Sequence, residues 1–153
     1  MNNLKLYQWD AKSRTAFNKL KVGDVFCFQL DSQKYAIGRI MTRNSLGHVA
    51  EIFDEIVDKP IVDKVPKIRL GEPVILDSYS LFDRKAEGDW RVVAHDKDYK
   101  PSGDESVRFV YGDTGNVRLV DIFDNEVLLT DERKCYPSYS PMGDWDIKEH
   151  FGL

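Results

Sequence analysis

Carboxylates are the side chains with chemical potential that cluster in this chain. Glu51, Asp54, Glu55, Asp58 and Asp63 share one stretch with a single lysine, Lys59, and Asp121, Asp124, Glu126, Asp131 and Glu132 share another without Lys or Arg. Two converging carboxylates, such as Asp54 with Asp58 or Asp121 with Asp124, can separate their pKa values for acid–base work or hold a hard cation. No nucleophile, base and orienting group occur together, so catalysis is not expected. Taken collectively, Glu51, Asp54, Glu55, Asp58, Asp121, Asp124 and Glu126 are expected to form a negative face that steers and holds a basic partner.

The remaining candidates point away from metal and phosphate chemistry. His48, His95 and His150 occur singly, without a second ligand at metal-binding spacing, and His48 and His95 read as surface or half-buried residues near strand ends. The glycines of Gly112-Asp-Thr-Gly115 lie between two strand-like runs and do not open a helix, so they read as a hairpin turn and not as a phosphate loop. No metal or cofactor is implied. Cys27 and Cys135 are expected to be free thiols, Cys27 packing as a small hydrophobe. Tyr136 and Tyr139, in a proline-containing tail, are candidate aromatic anchors for a partner, or pins that hold the tail to the body.

The elements that must position these groups are mostly strands. The chain has 153 residues, 42% of them hydrophobic, which suits one domain spanning 1–153 with its own core. No apolar run is long enough to cross a bilayer and no secretory signal is evident, so a soluble, cytoplasmic protein is expected. The net charge of -4 argues against nonspecific nucleic-acid binding, although Lys5, Lys12, Arg14, Lys19 and Lys21 make the N-terminal stretch basic. Period-two alternation marks Val25–Leu30 and Lys34–Met41 as a hairpin, with Phe26, Phe28, Leu30, Tyr35 and Ile37 assigned to the core. Gly38 inside the return strand implies a bulge or a close backbone approach.

Further strands are expected at 48–53, 74–82, 90–95, 107–111, 117–123 and 126–130, with 74–82 and 90–95 read as a hairpin. An amphipathic helix is expected over 8–20, a helical turn near 62–70, and a C-terminal helix over 144–151 capped by Asp144. The fold class is therefore mainly β (α+β), a strongly bent antiparallel sheet or partly open small barrel with one or two short helices.

The order Lys21-Val-Gly-Asp-Val-Phe-Cys-Phe-Gln-Leu30, Lys34-Tyr-Ala-Ile-Gly-Arg-Ile40, Glu51-Ile-Phe-Asp54 and Gly88-Asp-Trp-Arg-Val-Val93 resembles the immunity protein 26 family of bacterial polymorphic-toxin systems. The resemblance spans about residues 20 to 95. It implies a non-catalytic protein that binds a cognate toxin domain in the cytoplasm, with contact-dependent growth inhibition as the setting. A basic nuclease is the toxin class that an acidic inhibitor suits. The alternative is a small β-barrel binding module for a peptide or nucleic acid, with the basic N-terminal stretch and exposed tyrosines as the contact.

Overall fold

The computed structural model describes residues 3–131 and 134–153. Its frame is a six-stranded antiparallel sheet in the order β1-β6-β2-β3-β4-β5, formed by Leu4–Leu6 (β1), Asp24–Asp31 (β2), Lys34–Arg43 (β3), His48–Val57 (β4), Val74–Leu76 (β5) and Trp90–Asp96 (β6). A second antiparallel sheet holds Phe109–Asp113 (β7), Asn116–Val120 (β8) and Glu126–Leu128 (β9). Among the described residues one α-helix forms, α1, Asp144–Phe151. The sheet bends without closing into a barrel.

Alternation explains why β2 sits in the middle. Val25 and Cys27 face one way, Phe26 and Phe28 the other, and all four are fully buried. The Phe26 face packs with Ala36, Ile40, Ile52, Leu81, Phe82, Trp90 and Ile147, with Leu30 half-buried at its margin. Phe28 and Trp90 stack with ring centroids 3.9 Å apart and 4° between planes. The Val25 face packs with Ile37, Phe53, Val62 and Val93, closed by Trp9 and a half-buried Tyr35. A third cluster, Met41, Val49, Ile75, Val107, Phe109 and Ile122, joins the small sheet to the large one.

Four expectations are corrected. Residues 8–20 form two short 3-10 turns, Trp9–Ala11 and Phe17–Lys19, because the chain between them is drawn out against the body: Thr15 N–H donates to Phe82 O at 3.0 Å and Arg14 Nε to Asp83 O at 2.9 Å. The stretch 74–82 is a strand only to Leu76, followed by a π-helical turn, Tyr79–Asp83, since adjacent Leu81 and Phe82 are both buried and cannot alternate. Consequently β5 and β6 are not a hairpin: β5 pairs with β4, and β6 lies between β1 and β2. Residues 68–70 are not helical but run beside β4, with Asp54 N–H donating to Ile68 O at 2.9 Å and Leu70 N–H to Ile52 O at 2.7 Å.

The helix α1 has its expected bounds, but Gly143 is the cap and Asp144 the first helical residue. The Gly143 N–H donates to Asp146 Oδ2 (3.1 Å) and the Asp144 N–H to Glu87 Oε1 (2.6 Å), which frees the Asp144 carboxylate to accept from Trp90 Nε1 at 2.8 Å. The tail is extended and covers two edges. Val110 N–H donates to Pro137 O and Tyr139 N–H to Val110 O along β7, then Met142 N–H donates to Ile75 O and Asp77 N–H to Met142 O along β5.

Gly38 carries both of its expected roles. The pairing with β4 shifts between Ala36 and Gly38, and a Cβ at Gly38 would strike the Phe26 ring and lie 2.8 Å from the Glu51 carbonyl oxygen. Overpacking in such a core costs about 1–3 kcal/mol. Gly38→Ala is therefore expected to lower unfolding free energy by about 2 kcal/mol or more in urea titration, and an unchanged midpoint would contradict this packing.

Candidate functional site

β4 carries the first acidic segment, and its geometry separates those residues. Opposite Ile37, β4 holds extra residues between Ile52 and Ile56, so Phe53, Asp54 and Glu55 form a bulge. Bulges re-aim side chains. Phe53 stays in the core, while Asp54 and Glu55 are exposed, as is Asp58 beyond the strand end. Their carboxylates have no hydrogen-bond or ion-pair partner among the described residues.

Glu51 is different. It is 5% exposed and both of its oxygens are engaged, Oε2 by Arg39 Nε (3.1 Å) and Oε1 by Arg69 Nε (3.0 Å). Arg69 also forks onto Glu105 at 2.9 and 2.8 Å, and Arg39 reaches Asp96 at 3.4 Å while its guanidinium lies 3.9 Å from the centre of the Tyr99 ring. The Arg69 fork holds the Glu105 carboxyl below the usual carboxylate range, and burial pushes the Tyr99 hydroxyl up to about 12. This network ties the 96–105 loop and the 68–70 segment to the sheet. Sequence reading missed Arg39, Arg69, Asp96 and Glu105 because no spacing marks them; the pairing of strands brings them together.

The second acidic segment is largely a loop that holds itself. The Asp121 carboxylate accepts from the amides of Phe123 (2.8 Å) and Asn125 (2.9 Å) and from Asn125 Nδ2. Asp124, at φ 63°, accepts from Ser45 N–H (2.8 Å) and from the Tyr139 hydroxyl (2.9 Å). Tyr139 also shares a hydrogen bond with Ser45 Oγ and packs 5.5 Å from Tyr111, so it pins the tail. Tyr136 is half-buried. Glu126 is exposed and accepts from the Tyr111 hydroxyl at 2.5 Å. Glu132 lies outside the described residues.

The two segments do not converge. Asp124 is bonded to Ser45, before β4 begins, whereas Asp54, Glu55 and Asp58 sit at the far end of that strand.

The histidines are scattered, and one is deeper than expected. His48 is 1% exposed, not half-buried, with Nδ1 2.8 Å from Ser78 Oγ and the Phe17 ring 5.1 Å away. His95 Nδ1 lies 2.8 Å from Asp24 Oδ1, and His150 stacks edge-on to Phe151. Cys27 and Cys135 are free, and burial pushes the Cys27 thiol up to about 12.

Two outcomes follow. Removing one charge from a buried ion-pair network leaves its partners uncompensated at about 3–5 kcal/mol. Glu51→Gln is therefore expected to cost about 3 kcal/mol and speed amide exchange across residues 97–105, while Asp54→Asn stays within about 0.5 kcal/mol of the parent. Equal stabilities would refute the distinction. For His48, burial reinforced by Arg43 pulls the imidazole down to about 4. The unfolded chain then binds the extra proton, so the stability that neutral His48 supports is complete above about pH 6.5 and lost as the pH falls towards 4, an effect of about 3 kcal/mol. Denaturation curves from pH 8 to 4 should show this decline, and His48→Gln should flatten it, leaving the slope due to carboxylates such as Glu105.

The model of the immunity protein 26 family matches residues 21–120. This reaches past Asp96 to the end of β8 and takes in the frame from β2 to β6. No curated protein and no solved structure matches the chain. With about two thirds of its length covered by that match, the chain belongs to the immunity protein 26 family.

Proposed function

We propose that this protein acts in the cytoplasm as the immunity partner of a bacterial toxin domain, a basic nuclease, and neutralises it by covering its active or substrate-binding surface. Family membership over residues 21–120 carries the immunity role. The chemistry of the partner is read from the surface. Asp54, Glu55 and Asp58 are exposed carboxylates with no internal partner among the described residues, and Glu126 is exposed with only a tyrosine hydroxyl on it. Such groups favour a cationic surface and speed its approach. A nuclease carries that surface because it must attract phosphate. Inhibition then needs no chemistry by this chain, only occupancy. Glu51, Asp121 and Asp124 contribute indirectly, by fixing the backbone that presents the exposed set.

A second reading, a binding module for an acidic peptide or nucleic acid, has one observation in its favour. Tyr7, Lys12, Thr15, Lys19 and Lys21 line a cavity of about 260 Å³ beside Asp24 and Val92. Co-expression with the toxin domain encoded by the adjacent gene separates the readings. Restored growth and co-purification are expected for immunity, and neither is expected for an unrelated binding module. Reversing Asp54, Glu55, Asp58 and Glu126 to Lys should weaken the complex by about tenfold or more at low salt, chiefly through slower association. Unchanged association at low salt would remove the acidic-surface mechanism.

A further inference from the structure

Three lysines without a counter-charge line one hollow. Where the N-terminal chain is drawn across the body, Tyr7 N–H donates to Val93 O at 2.9 Å and Thr15 N–H to Phe82 O at 3.0 Å, and both residues line a cavity of about 260 Å³. Lys12, Lys19 and Lys21 line it too, from just beyond the first 3-10 turn, the end of the second and the approach to β2. Their ammonium groups have no hydrogen-bond or ion-pair partner among the described residues, whereas Arg14, close by in sequence, is taken by Asp83. The carboxylate in the wall, Asp24, is already engaged on both oxygens: Oδ2 accepts from Lys21 N–H, and Oδ1 lies beside His95 Nδ1, each at 2.8 Å. Thr15 gives a second, independent sign. It is 8% exposed, yet its hydroxyl has no hydrogen-bond partner among the described residues. Buried polar groups are ordinarily paired, and a hydroxyl can both donate and accept, so this one is set for a ligand in the cavity it lines.

We propose that this cavity binds a small phosphate monoester. Lysine acts on phosphate as a point charge with three donors, while planar carboxylates are recognised best by the arginine fork, and no arginine lines this cavity. A dianionic phosphate head matches several ammonium groups at once and offers oxygens to the Thr15 hydroxyl. Ala11, Val92 and the partly exposed Tyr7 ring supply apolar wall for an organic group attached to it. Volume sets the size of that group, since about 260 Å³ falls just below the roughly 300–1,000 Å³ of pockets for drug-sized ligands. A nucleic acid needs a basic track along which its backbone can run, and a chain of net charge -4 whose lysines line a single cavity does not offer one. The site is separate from the immunity role. The family match begins at residue 21, so Tyr7, Lys12, Thr15 and Lys19 all precede it.

The test titrates the full chain at low salt with adenosine monophosphate, glucose phosphate and inorganic phosphate, read by calorimetry and by amide NMR shifts. One or both monoesters are expected to bind saturably and to move the amides of Lys12, Thr15, Lys19 and Lys21, whereas adenosine and glucose are expected not to bind. Inorganic phosphate is expected to bind about tenfold more weakly, because it leaves Ala11, Val92 and Tyr7 uncovered. Lys19→Gln/Lys21→Gln and Thr15→Val should each weaken the monoester by about tenfold or more, with Thr15→Ser restoring it. Lys59→Gln/Lys67→Gln, at lysines that do not line the cavity, should leave it unchanged. Thermal melts check folding, and the exposed Lys19 and Lys21 decide the matter if Thr15→Val does not fold. No saturable binding, equal affinity for inorganic phosphate, or binding that survives Lys19→Gln/Lys21→Gln overturns the site. An oligonucleotide or phosphopeptide that displaces the monoester and binds more than about tenfold tighter assigns the cavity to a polymer and also overturns it. Growth protection against the toxin is read separately, so failure here leaves the immunity reading intact.

Discussion

Four consecutive side chains of β2, Val25 to Phe28, are shut away from water, two on each side of the sheet, and the rest of the molecule is arranged by the need to cover both sides. One cover is made of the π-helical turn and α1, anchored by Leu81, Phe82 and Ile147. The other is made of the N-terminal stretch around Trp9 and the irregular stretch around Val62. An antiparallel sheet commonly leaves one face to solvent, and a doubly covered one needs more chain than its strands supply. That demand explains the long connections in this protein. It also explains Gly38, where the Phe26 ring fills the space a side chain would take.

Charge is distributed by the same logic. Carboxylates near the covers are taken into the structure: Glu51 between two guanidiniums, Asp124 between Ser45 and Tyr139, Asp144 under the Trp90 indole. Those left over lie at a bulge, past a strand end or on an edge strand. An acidic count taken from sequence therefore overstates the charge a partner can meet. Geometry sorts fixed from available carboxylates, and the available ones occur where regular pairing gives way.

What could be read from sequence divides along the same line. The β2–β3 hairpin, the β7–β8 hairpin and α1 were legible because each is set by neighbours in sequence, through alternation, turn glycines or a short apolar period. The 8–20 helix failed because Arg14 and Thr15 are held by Asp83 and Phe82 from another part of the chain. The supposed β5–β6 hairpin failed because Leu81 and Phe82 carry the connection across a sheet face. At the site, the acidic residues were visible as types but their roles were not. Nothing in Glu-Ile-Phe-Asp-Glu distinguishes a buried Glu51 from an exposed Asp54; the Arg39 and Arg69 that decide it arrive from β3 and from the stretch beside β4.

The strap formed by residues 137–142 lies along β7 and then β5, both made earlier in synthesis. Until it emerges from the ribosome, each sheet has one raw edge that the finished protein hides, and open edges are templates for pairing with other chains. The order of synthesis thus gives this protein a vulnerable interval. Short β5 and β7, of three and five residues, limit what a stray strand can gain there. One short strap thus closes an edge of both sheets, as a clasp does.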